Sequence, residues 1–145
     1  MYLDDFVIGT ELEIPSVEID PSEMVQFAKR YDPFTVHLDR QYAERSRFGD
    51  LISPGLYSFL VVWKQFVDCN LFGDELVAGK STKVEWFKPV YGGDVLSGKA
   101  RIVNVTRRNP YNGIAEIVIE VRNQNREIVL VDRTEAVVLY RPKQN

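Results

Sequence analysis

The chain has 145 residues, 45% of them hydrophobic and 27% charged, with a net charge of −3. That is enough to bury the core of a single domain spanning residues 1–145, in a globular rather than a disordered balance. Scattered basic residues and a negative net charge argue against nucleic acid as a partner. The acidic start Met1-Tyr2-Leu3-Asp4-Asp5-Phe6 argues against a secretory leader. The apolar run 56–63, broken by Ser58, falls short of the ~20 residues of a membrane span. Its one cysteine, Cys69, reads as a small buried apolar residue in a reducing, cytoplasmic setting.

In chain order, Glu11-Leu12-Glu13-Ile14 alternates and is bounded by Pro15, which predicts a first strand. Asp20-Pro21-Ser22-Glu23 is a helix start, with Asp20 as cap, Pro21 at the first helical position and Glu23 placed to reach back as in a capping box. Met24, Phe27 and Ala28 follow at helical spacing, and Pro33 disfavours helical geometry at Asp32, so the helix should stop near Tyr31. A short second helix is expected over residues 38–46, then a turn at Phe48-Gly49-Asp50. Ser53-Pro54-Gly55 opens a longer helix to about Asp68. It is apolar on nearly every side, with only Lys64, Gln65 and Asp68 gathered on a polar face, and a helix of that kind is buried.

After Gly73 the chain reads as four strands. Residues 80–87 form the first, with Val84 and Trp86 on one side. A turn at Gly92-Gly93 leads to residues 94–105. Asn109-Pro110-Tyr111-Asn112-Gly113 is a hairpin signal. Residues 114–122 follow, with Ile117, Ile119 and Val121 facing inward and Glu116, Glu120 and Arg122 outward. Asn123-Gln124-Asn125-Arg126 turns the chain into a last strand over residues 127–140, which closes a meander. An antiparallel sheet wrapped on one apolar helix satisfies this plan: an α+β chain in the hotdog arrangement. Such a sheet is small and open at its edges, so pairing with a second copy into a homodimer is expected.

Two segments carry candidate chemistry. The single histidine, His37, lies in Tyr31-Asp32-Pro33-Phe34-Thr35-Val36-His37-Leu38-Asp39, read as a loop between two helices and entered through a proline. Loops on a rigid scaffold often hold functional groups. Asp32, five residues before the imidazole, can bring a carboxylate and His37 to one water, where the pair can remove and return a proton. The same residues also fit a structural histidine and a common Asp-Pro turn. The second segment is Ile52-Ser53-Pro54-Gly55. Free amides and the positive end of a helix dipole meet there, and an amide so placed can hold the oxygen of a polarised carbonyl. It equally fits an ordinary helix start, with Ser53 as cap and Pro54 first.

Taken together, Phe27-Ala28, the stretch from Tyr31 to Asp39, Tyr42-Ala43 and Phe48-Gly49-Asp50-Leu51-Ile52-Ser53-Pro54-Gly55 resemble the MaoC-like dehydratases, which include the (R)-specific enoyl-CoA hydratases. The family motif has an Asp, four residues, a His, then an Ala, a Phe-Gly pair and an Ile-x-x-Gly, at distances this chain matches. Phe87-Lys88-Pro89-Val90-Tyr91-Gly92-Gly93-Asp94 resembles the family's Pro-Val-x-x-Gly-Asp turn. Arg122-Asn123-Gln124 before Glu127-Ile128-Val129 resembles its Asn-Gln turn.

The resemblance implies a hotdog fold. It also implies addition of water to, or its removal from, a 2-enoyl-CoA or 3-hydroxyacyl-CoA thioester, with no metal or cofactor. Asp32 and His37 then share the catalytic water, and the Gly55 amide binds the thioester oxygen. Three positions depart from the pattern. Phe34-Thr35 stands where the family has Asn-Pro or Gln-Pro. Pro54 precedes Gly55, where His or Ser is usual. Trp63 stands where some members carry an active-site serine. Phe34 and Trp63 are therefore expected to shape the substrate pocket, with Trp63 shortening its acyl end. Lys80, Lys83, Arg107 and Arg108 are candidates to meet CoA phosphates, or are simply solvated charges. A hotdog acyl-CoA thioesterase, a non-catalytic acyl-CoA-binding protein and a structural partner subunit stay open as alternatives at this stage.

Overall fold

The computed structural model describes residues 1–144. After a 3-10 turn at Leu3–Asp5 come β1 (Glu11–Glu18), α1 (Pro21–Tyr31), α2 (Thr35–Leu38), α3 (Arg40–Arg45) and α4 (Gly55–Asp68). A second 3-10 turn, Gly73–Glu75, leads into β2 (Leu76–Trp86), β3 (Val95–Arg107), β4 (Asn112–Arg122) and β5 (Ile128–Leu139). The five strands make one antiparallel sheet in the order β1-β3-β4-β5-β2. This is the hotdog arrangement that the sequence predicts.

Local signals set several boundaries. Asp20 Oδ1 accepts from the amides of Ser22 and Glu23 at 2.8 and 2.9 Å, which caps α1. Pro33 ends α1 at Tyr31, and the Asp32 amide still bonds the Ala28 carbonyl. Ile117, Ile119 and Val121 are buried, as their alternation predicts, and Arg122 is exposed.

Other expectations need correction. His37 lies not in a loop but in α2, a single helical turn, and the helix expected over 38–46 is reset at Asp39, whose carboxylate accepts from the Tyr42 amide to start α3. β1 runs on through Pro15, because it is an edge strand whose outer amides need no ladder partner, and its register shifts just there, between Ile14 and Val17. β2 starts at Leu76, not Lys80, and does not continue a meander into β3. It crosses to the far edge and pairs with β5, with Trp86 opposite Leu130 and Leu76 opposite Val138.

α4 lies across β1 and β3. It buries Tyr57, Ser58, Phe59, Val62 and Phe66. The sheet opposite must be thin for this approach: a Cβ on Gly98 of β3 would sit 3.1 Å from Ile14 Cδ1 and 3.2 Å from Val62 Cγ1. The helix is not buried on every side, however. Leu56, Leu60 and Val67 are exposed in the single chain, at i, i+4 and i+11, so they form a stripe along one face.

Candidate functional site

The start of α4 is built by contacts from far along the chain. The Ser53 amide bonds the Val90 carbonyl at 2.7 Å, and Ile52 makes an isolated bridge with Tyr91. The Tyr91 hydroxyl donates to the Phe48 carbonyl at 2.8 Å, and Arg40 of α3 pairs with Asp50 at 2.9 Å. The segment leading into α4 is therefore clamped from two sides. The cap of α4 differs from the expected one. Pro54 is the cap residue and Gly55 the first helical residue, with no side-chain cap bond. Ser53 turns its hydroxyl to the Pro54 carbonyl and accepts from Ser58. The first-turn amides thus lack both an intrahelical acceptor and a side-chain cap.

His37 is buried and its Nδ1 lies 2.8 Å from the Ile52 carbonyl oxygen. A ring nitrogen facing a carbonyl must carry the hydrogen, so in the neutral imidazole Nε2 presents its lone pair. That Nε2 is 3.5 Å from Asp32 Oδ2. Two proton acceptors thus face one point, an arrangement that a water with two hydrogens can satisfy. Asp32 arrives there because α1 ends at the preceding residue, and His37 because α2 makes one turn after Phe34.

Asp32, His37, Ser53, Gly55 and Ser58 all line one open cavity of about 480 Å³. Arg47, Trp86 and Lys88 complete its rim and wall. Trp86 is the residue that sequence reading missed most clearly. Its indole Nε1 donates to the Gly55 carbonyl at 2.9 Å, and a Cβ on Gly55 would lie 2.6 Å from its ring. Only glycine fits under that ring. Nearby Tyr57 keeps its proton near neutral pH and offers no phenolate base: burial, reinforced by the Glu23 and Asp20 carboxylates, pushes its phenol up to about 12.

The other sequence candidates lie elsewhere. Phe34 is exposed, its ring 6.4 Å from that of His37 and outside the cavity lining. Trp63 and Lys80 line a different cavity, of about 420 Å³, at the far end of α4. Lys80 pairs there with Glu135. Lys83 pairs with Glu85 on the exposed edge strand. Arg107 lies over the Tyr140 ring, and it and exposed Arg108 fall at the Leu76 end of the sheet, away from Trp86. The two turns singled out in the second half do meet. Gln124 bonds Asp94 Oδ1 and the Val95 amide, while Asp94 Oδ2 takes the Tyr91 amide. They brace Tyr91, and through it the start of α4.

The family model described as "MaoC like domain" matches residues 5–123. YdeM of Bacillus subtilis (strain 168) is 25% identical over 142 residues, covering 97% of this chain and 100% of that protein. A solved MaoC-like dehydratase from Rhodospirillum rubrum superposes with a TM-score of 0.86 at 25% identity, covering 99% of each chain. A structure of a monoamine oxidase regulatory protein from Archaeoglobus fulgius has a TM-score of 0.93 at 24% identity, covering 98% of this chain and 96% of that one, a likeness of fold. Among the described residues, no helix is long and apolar enough to cross a membrane.

Proposed function

The chain belongs to the MaoC-like dehydratase family, and from that premise we propose that it is a hydro-lyase acting on a 2-enoyl-CoA or 3-hydroxyacyl-CoA thioester. One observation carries the reading. An acid-base pair and the free first-turn amides of α4 line the same cavity.

In the hydration direction, a water rests against Asp32 Oδ2 and His37 Nε2. The pair takes one of its protons as the water oxygen bonds to C3 of the enoyl group. The C2–C3 π electrons move toward the thioester carbonyl, whose oxygen gains charge against the Gly55 amide at the positive end of α4. The proton then returns from the pair to C2, so one water is added and no group is lost. Dehydration is the same path reversed. The Ile52 carbonyl holds His37 in the tautomer that the first step needs.

The active form in this reading is a homodimer. β2 is an edge strand of eleven residues that is exposed along most of its length, and the apolar stripe of α4 lies uncovered in the single chain. A second copy pairing along β2 covers such an edge.

The test follows the absorbance of the conjugated enoyl thioester when crotonyl-CoA is mixed with wild type, Asp32→Asn and His37→Ala. The reading expects loss of absorbance with wild type. It expects rates lower by ~10²–10⁴ in both variants. A second reading, an acyl-thioester-binding protein without turnover, is favoured by the Trp86 ring, which packs on Gly55 and bonds its carbonyl and so takes up room beside the start of α4. It expects crotonyl-CoA to bind while its absorbance stays constant.

A further inference from the structure

Two cations border the cavity that holds Asp32 and His37, and they differ in what they touch. Lys88 is spent on Glu127. Arg47 is exposed and enters no ion pair among the described residues; its guanidinium lies 4.8 Å over the Phe48 ring. The backbone that carries that ring is held on several sides. The Phe48 amide bonds Ser46 Oγ at 3.1 Å, its carbonyl takes the Tyr91 hydroxyl, and the Gly49 amide closes the turn on the Ser46 carbonyl.

An arginine stacked on an aromatic face keeps its N–H edges free, in a planar fork that matches two oxygens of a phosphate. Stacking on that ring already restricts the Arg47 side chain, so less of its freedom remains to be lost on binding. We propose that Arg47 is the anchor for the phosphate of the thioester carrier, seating a phosphorylated pantetheine arm so that its thioester reaches Asp32 and His37. This rests on the function proposed above. It replaces Lys80, Lys83, Arg107 and Arg108 in that role within one chain, because those four lie outside this cavity. The phosphate belongs either to CoA or to the prosthetic arm of an acyl-carrier protein, which present the same group at the same distance from sulfur.

The experiment compares wild type, Arg47→Gln and Arg47→Lys on three crotonyl thioesters: crotonyl-CoA, the crotonyl ester of an acyl-carrier protein, and the phosphate-free N-acetylcysteamine ester. The expected result is a KM for crotonyl-CoA raised about ten-fold in Arg47→Gln, the loss of a charge-assisted contact, with kcat unchanged. Arg47→Lys should recover part of the loss. The phosphate-free ester should be used equally by all three proteins. Loss on the carrier-protein ester as well supports a contact with the pantetheine phosphate; loss on crotonyl-CoA alone overturns that assignment, because the contact is then with nucleotide phosphates that the carrier-protein arm lacks. An unchanged KM for crotonyl-CoA, or an equal loss on the phosphate-free ester, overturns the proposal. If wild type turns over none of the esters, the hydro-lyase reading fails by itself. Calorimetric titration with CoA then decides Arg47: affinity about ten-fold weaker in Arg47→Gln supports the anchor, and equal affinity overturns it.

Discussion

The two ends of α4 open on cavities of nearly equal size, about 480 Å³ at Gly55 and about 420 Å³ at Trp63 and Val67. Both meet β2, the first only at Trp86 and the second from Leu76 to Thr82. Their chemistry is what differs. The first gathers Asp32, His37, Ser53, Ser58 and two cations around unpaired helix amides. The second is walled by Trp63, Phe66, Leu71, Phe72 and Leu76, with hydroxyls at its floor. Room alone does not mark a site; convergent polar groups do. The helix supplies the asymmetry, since free amides and positive dipole stand only at its N-terminal end.

The largest expected effect separates the two ends by activity. Asp32→Asn and His37→Ala should lower turnover by ~10²–10⁴. Asp32→Asn, which keeps the side chain's size at a cavity wall, should leave the urea unfolding midpoint close to wild type, whereas His37→Ala should lower it, because the Ile52 carbonyl loses its buried partner. Thr82→Val at the other end should leave turnover as it is. Activity lost in Thr82→Val and kept in Asp32→Asn would reverse the assignment.

A smaller effect lies beneath the far floor. The Thr134 hydroxyl donates to Asp132 Oδ2 at 2.7 Å and lies 2.7 Å from Thr82 Oγ1. Asp132 is fully buried, and its Oδ1 has no partner among the described residues. Burial pushes its carboxyl from 3.8 up to about 6, opposed only in part by the Thr134 hydrogen bond. A carboxyl whose folded value is raised binds its proton more tightly when folded. Its contribution to stability is therefore complete below 3.8 and is lost as pH rises through about 6. Relative to wild type, Asp132→Asn should gain up to about 3 kcal/mol between about pH 4 and about pH 7, read by urea unfolding across that range. Turnover of a short enoyl thioester should not change. A stability difference that stays flat with pH would remove the buried charge from this account.

The smallest effect concerns the two tryptophans. Trp63→Ala should leave crotonyl-CoA turnover unchanged, because that ring belongs to the far cavity. Trp86→Ala should alter it, because that ring packs on Gly55. The opposite ranking would return Trp63 to the place that the sequence suggested for it.

Much of the fold was legible because its signals are local. Asp20 and Pro33 bracket α1 through a cap bond and a steric clash, each within a few residues. The alternation in β4 reports which face is buried. The Asp32 and His37 pair was legible for a similar reason: a proline break and one helical turn bring them together within a single short segment. The capping role suggested for Glu23 and the cap suggested for Ser53 were not realised, since Asp20 alone caps α1 and the Ser53 hydroxyl meets Ser58 and the Pro54 carbonyl instead.

By itself, then, the sequence determined an α+β chain with one apolar helix, a strand-rich second half, and a carboxylate and imidazole held close beside a helix start. Tertiary structure alone decided that β2 pairs with β5, and so which tryptophan meets Gly55. It also decided that α4 keeps an apolar stripe in the open, and that Arg47, in no ion pair among the described residues, lines the same cavity as Asp32 and His37. The physical reason is range. Caps, breaks and alternation act between neighbours in the chain, whereas strand order and cavity walls come from contacts between segments far apart in sequence, each chosen by the burial of all the others.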